Sequence, residues 1–107
     1  MSVIKLDGEE ITLYFDMKIM DSIEKEIGSL YKYPEQVAAK DVSFNDVVTI
    51  YYYAQTKCAY NKEEIFQKVM KDGLVFHTSE TYKAVMLVVF GEKVFNELMD
   101  DTDTKKK

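Results

Sequence analysis

The chain has 107 residues, 47% of them hydrophobic and 31% charged, the make-up of one modest globular domain and too little for two cores. Its 19 acidic residues outnumber 14 basic ones, for a net charge of −5, and the only basic cluster is Lys105, Lys106 and Lys107. That disfavours a binder that tracks nucleic-acid phosphates. A single cysteine excludes an internal disulfide, and the longest apolar run, "AVMLVVF" at 84–90, is far below the ~20 residues of a membrane span.

The opening "MSVIKLDGEE" lacks the basic and apolar regions of a signal peptide, so a soluble cytoplasmic protein is expected. "SVIKLDGEEITLYF" reads as a β-hairpin over 2–15. Ile4 and Leu6 alternate with Val3 and Lys5, Ile11 and Leu13 alternate with Thr12 and Tyr14, and Asp7-Gly8 supplies the turn. Two strands are marginal alone, so one face must lie on helices.

Everything after the hairpin reads helical. Asp16 caps a first helix with Met17, Ile19, Met20, Ile23 and Ile27 at helical spacing, ended by Gly28. Pro34 suits the first turn of a short helix through Ala39. Ser43, with Asp46 three residues on, begins a second main helix, and Asn61 with Glu64 begins a third. The third has Ile65, Phe66, Val69 and Met70 as its buried stripe and Gly73 as its end. Ser79 is expected to start the last helix. Tyr82, Val85, Met86, Val89 and Phe90 share one face and Leu87 and Val88 lie off it, the pattern of a central helix. Gly91 breaks it before a segment around Val94, Phe95 and Leu98. The expected fold class is α+β, mainly α: a hairpin and about four to five helices in one domain over 1–99, with 100–107 as a disordered charged tail.

Groups suited to catalysis are few. His77 is the only histidine and Cys58 the only thiol. Cys58 is expected on the buried face of the second main helix, with Val47, Tyr51 and Ala54, as an inert small hydrophobe. His77 falls in a connector before Ser79, a place for a surface or capping residue. The acid pairs Glu9-Glu10 and Glu63-Glu64 suit a turn and a helix start. Asp100, Asp101 and Asp103 lack the spacing of a calcium loop, and the four glycines form no phosphate loop. No catalytic residue, cofactor or metal is therefore assigned.

The densest feature is "TIYYYAQTKCAY" at 49–60, with half of the eight tyrosines. On a helix beginning after Ser43, Tyr51 falls with Phe44, Val47, Val48 and Ala54 in the core, and Tyr52 lies at the boundary. Tyr53 points opposite, among Asn45, Thr49 and Thr56, and Tyr60 joins it if the helix continues. Tyr52, Tyr53 and Tyr60 are the partner-binding candidates.

The order of elements resembles the small tail assembly chaperones of long-tailed bacteriophages and gene transfer agents. The resemblance rests on "FDMKIMDSIEKEIG", "VSFNDV", "NKEEIFQKVMKDG" and the closing "VFGE", and spans most of residues 2–98. In that family a hairpin closing on phenylalanine leads into a helix with paired aliphatics, a glutamate and a terminal glycine. Phe15, Ile19, Ile23, Glu24 and Gly28 match this pattern, Asn61, Glu63, Glu64 and Ile65 match a later helix start, and Phe90-Gly91 the end. The chain departs from the family in its tyrosine-rich helices and in the proline-bearing connector at 29–42. The resemblance implies a non-catalytic protein of the bacterial host cytoplasm. Its partners would be the tape measure protein and tail tube subunits, held through apolar or aromatic grooves that cover client helices; homo-oligomerisation stays open. The competing expectations are a head–tail connector retained in the virion and a small enzymatic or ligand-binding domain using Cys58 or a tyrosine-lined pocket.

Overall fold

A computed structural model describes residues 2–56 and 60–91. Strands β1 (Ser2–Leu6) and β2 (Glu9–Leu13) pair antiparallel, with Ile4 opposite Ile11 and Leu6 opposite Glu9. Two residues make the turn, Asp7 at φ 51° and Gly8 at φ 84°. Positive φ at both central positions gives this turn the twist of the flanking strands. Ile4, Leu6 and Leu13 are buried on one face, as their alternation predicts.

Local chemistry sets most helix ends. In α1 (Met17–Ile27) the Asp16 carboxylate accepts the Ile19 amide at 2.8 Å, and Gly28 closes the last turn. A single 3-10 turn, Leu30–Lys32, leads into α2 (Tyr33–Ala38), with Pro34 in its first turn. Both α3 (Phe44–Ala54) and α4 (Lys62–Asp72) begin with reciprocal capping boxes, Ser43 with Asp46 and Asn61 with Glu64. These pairings satisfy amide groups that have no acceptor within the helix.

The last helix departs from expectation. Helix α5 runs Leu74–Phe90 and so starts five residues before Ser79. Gly73, at φ 101°, both ends α4 and begins α5. Because glycine tolerates that conformation, one residue makes the whole connection, with no further connector residues. His77, expected near the surface, is instead fully buried inside α5.

The central helix is α3 rather than α5. Val47, Val48, Thr49, Ile50, Tyr51 and Ala54 of α3 are all buried. One side of the core joins Tyr51, Val47 and Val48 to the hairpin's Ile4, Leu6 and Leu13 and to Ile65 and Val69 of α4. The other joins Ile50 to Ile23, Leu30, Tyr33 and Val85. In α5, by contrast, Leu87, Val88 and Val89 are half-buried and Phe90 is exposed. Nor does the expected stripe of α4 hold throughout. Ile65 and Val69 are buried, but Phe66 and Met70 face outward, Phe66 leaning on Phe44 with ring centroids 5.3 Å apart.

Thr49 was expected on an outward face and is fully buried, with its hydroxyl lacking a partner. A buried hydroxyl without a hydrogen bond is destabilising, and valine has nearly the same shape. Thr49→Val is therefore expected to raise the unfolding free energy by about 1 kcal/mol, measured by urea denaturation. A lowered midpoint would mean that the hydroxyl has a partner in solution.

The chain leaves α3 at Gln55, which is extended, and does not continue as a helix to Tyr60. Instead it caps the second edge of the hairpin. The Tyr14 amide donates to the Ala54 carbonyl at 2.8 Å, and the Thr56 amide to the Thr12 carbonyl at 3.2 Å. Cys58, the segment around Val94, Phe95 and Leu98, and the tail at 100–107 lie outside the described residues. Among the described residues no helix is long and apolar enough to cross a membrane.

Candidate functional site

The three candidate tyrosines occupy braces between elements. Tyr53, expected to be exposed, is half-buried against the cluster around Ile23, and its hydroxyl donates to Glu26 of α1. Tyr52 meets the Tyr53 ring edge-on at 5.1 Å. Lys62 of α4 lies 5.5 Å and 5.6 Å from the two ring centres and pairs with Glu26 at 2.6 Å. Tyr60 repeats the arrangement at the hairpin. Its hydroxyl donates to Glu9, while Lys68 of α4 sits 4.7 Å from its ring centre and 3.5 Å from Glu9.

Each brace is a tyrosine, a glutamate and a lysine that neutralise and orient one another. The hydrogen bond to Glu26 raises the Tyr53 pKa, and that to Glu9 raises the Tyr60 pKa. Glu26 is held below its usual range, first by Lys62 and then by Tyr53. Glu9 is lowered chiefly by Tyr60. Tyr52 and Tyr53 lie together, but Tyr60 belongs to a separate cluster. Both hydroxyls sought as outward contacts are taken up within the chain.

A second polar assembly runs from the core out to Asp72 at the surface. The Tyr51 hydroxyl meets His77 Nδ1 at 2.7 Å, and His77 Nε2 meets Asp72 Oδ2 at 2.7 Å. The same Asp72 oxygen accepts the Asp7 amide at 2.8 Å. Beside it, the Tyr33 hydroxyl meets Thr81 Oγ1 at 2.7 Å, and Thr81 donates to the His77 carbonyl at 2.9 Å. Burial raises the pKa of Tyr51, and that of Tyr33 to about 12. A tyrosine, histidine and carboxylate in line resemble a relay that activates a nucleophile. Here, however, Tyr51 is 1% exposed and His77 0%, so no substrate reaches the hydroxyl. The assembly instead fastens the hairpin turn, α3, α4 and α5 together.

A surface feature with room for a ligand lies elsewhere. A groove of about 550 Å³ runs between the α2–α3 connection and the first half of α5. Val37, Lys40 and Val42 form one wall, and Leu74, Val75, Thr78, Ser79 and Tyr82 the other. The α5 residues recur at helical spacing along about 12 Å of the helix, at 1.5 Å per residue. Val75 is 86% exposed at the rim. The volume falls within the ordinary range for binding sites, and the walls are mostly apolar.

None of these residues is a binding candidate in the sequence: Ser79 and Tyr82 read as helix start and core face, and 74–78 as connector. The available signal was Gly73 followed by Leu74, Thr78, Thr81, Tyr82 and Val85 at helical intervals, with no turn residue among them. Among the described residues no three His, Cys, Asp or Glu side chains gather as a metal site. No protein-family model matches this chain, and neither a curated protein nor a solved structure matches it.

Proposed function

We propose that this protein is a non-catalytic tail assembly chaperone, which holds apolar segments of the tape measure protein or tail tube subunits during phage or prophage tail assembly in the host cytoplasm. The observation that carries the reading is the open apolar groove along α5, with Val75 exposed and Leu74 and Tyr82 half-buried beside it on a chain of this acidity. An exposed apolar trough two helical turns long suits the apolar stripe of a client helix. The net charge of −5 keeps the protein soluble while the trough is empty. The resemblance of the element order to tail assembly chaperones supports the choice of tail proteins as clients.

The test is capture of tail proteins from cells that coexpress the neighbouring genes. Val75→Glu puts a charge on the rim at a position 86% exposed and is expected to leave the thermal midpoint unchanged. Client binding should weaken at least about tenfold, the equivalent of about 1.4 kcal/mol. Recovery of no tail protein by the unaltered chain would sink the chaperone reading. Presence in finished particles at fixed copy number would favour a connector instead.

A further inference from the structure

We infer that the groove recognises an amphipathic helix bearing an acidic side chain beside its apolar stripe, with Lys40 as the residue that reads the acid. This rests on the groove being the client site. The occupant's backbone follows from the walls. One wall is α5, whose main-chain groups beyond its first turn are spent on the helix, so that wall offers no row of free amides and carbonyls to pair with a strand. An extended client would leave its own polar backbone groups unmatched against Leu74, Val75 and Tyr82. A helix satisfies those groups internally and needs only side-chain contact.

The acid follows from the groove's polar groups. They are the Lys40 ammonium and the Thr78, Ser79 and Tyr82 hydroxyls, and none of the lining residues is acidic in a chain with 19 acidic residues. Lys40, like Lys5, Lys18 and Lys32, makes no ion pair among the described residues, and of these four it is the one that lines the groove. A lone cation beside an apolar floor is completed by a carboxylate, and charge of the same sign is rejected.

The backbone at Lys40 points the same way. After α2 the Asp41 amide donates to the Gln36 carbonyl at 2.8 Å, and Lys40 stands at φ 58°. That is the left-handed helix-ending position normally given to glycine. A lysine here is conformationally disfavoured, and such strain is characteristic of functional positions.

This suggests a substitution whose effects on folding and binding run in opposite directions. Lys40→Gly relieves the backbone and should raise the thermal midpoint, yet it removes the cation. The probe is a fluorescein-labelled amphipathic peptide of about 18 residues, long enough to be helical alone, with leucines at i, i+3, i+4 and i+7 and a glutamate beside them. Lys40→Gly should bind it about threefold more weakly, the scale of a partly exposed ion pair, and a glutamine version of the peptide should remove that difference. Lys40→Glu should reverse the preference towards a lysine version.

Equal affinity for the glutamate, glutamine and lysine peptides overturns the inference. So does failure of all three to bind, or binding that Val75→Glu leaves untouched; a second copy of the chain as the occupant would appear as dimerisation that the peptide does not displace, and would overturn it as well. Tail-protein capture reports separately on the chaperone reading. The glutamate preference without capture upholds the inference about the groove and rejects the chaperone.

Discussion

Tyr51→Ala is expected to lower the unfolding free energy by about 3–5 kcal/mol, the range for truncating a large buried aromatic. Tyr51→Phe should lower it by about 1–3 kcal/mol, although it deletes one oxygen. The ring is 1% exposed and packs between the hairpin residues and Val69. Its hydroxyl is a separate matter, because around a neutral imidazole hydrogen-bond chemistry allows only one arrangement. A carboxylate only accepts, and Asp72 Oδ2 already takes the Asp7 amide. His77 Nε2 must therefore carry the hydrogen pointing at Asp72, which leaves Nδ1 bare to accept from Tyr51. Phenylalanine at 51 strands that lone pair in a site where His77 is 0% exposed. His77→Phe strands the Tyr51 hydroxyl in turn. The double variant removes both partners and should lose markedly less than the sum of the single losses, because a matched apolar pair has no unmet polar group. Urea denaturation of the four proteins measures this, and simple additivity would show that the hydrogen bond is not what couples these residues.

Sequence legibility ended where interactions ceased to be local. The Asp7-Gly8 turn, the Asp16 cap and the boxes of Ser43 with Asp46 and Asn61 with Glu64 lie within four residues of chain, and each follows from side-chain type and spacing. The buried relay joins residues 26 and 65 positions apart, and nothing in the local pattern announces either contact. His77 was misplaced for a related reason. Gly73 starts α5 without a side-chain cap, whereas Ser79 looks like a cap and sits inside the helix. Tyr53 shows what a helical wheel omits. Its direction, away from the hairpin-facing side of α3, was readable, but α1 covers that direction and Glu26 takes the hydroxyl. Thr49, one turn earlier, is buried likewise. The groove was the least legible, because Val37 reaches it from a helix of six residues, too short to show a face, Val42 from the connector after it, and Lys40 through a left-handed turn.

Asp72→Asn is expected to lower stability by about 1.5–3 kcal/mol at neutral pH, the scale of a hydrogen bond to a charged group, and to lose most of that effect in acid. The carboxylate is opposed by its partial burial, which works to raise its pKa. The Asp7 amide and the His77 ring outweigh that, so the net shift is downward from 3.8. In the unfolded chain Asp72 takes up a proton near its ordinary value, about 3.9, while the folded protein still holds it ionised. Between those two values the unfolded state binds more protons, and stability falls as pH falls. The contribution is complete above about pH 5 and vanishes below the folded pKa. Glu9 and Glu26 are shifted in the same direction, but they stand in solvent, where screening leaves little dependence on them. Urea midpoints of the two proteins should therefore differ at pH 7 and converge towards pH 2, whereas a constant gap would mean that Asp72 acts through shape alone. The consequence reaches the groove. Leu74 and Val75 lie on the chain between Asp72 and His77, so the bond that joins these two residues also fixes the first turn of α5 and the wall it supplies. Asp72→Asn should accordingly weaken peptide binding at neutral pH, although Asp72 does not line the groove.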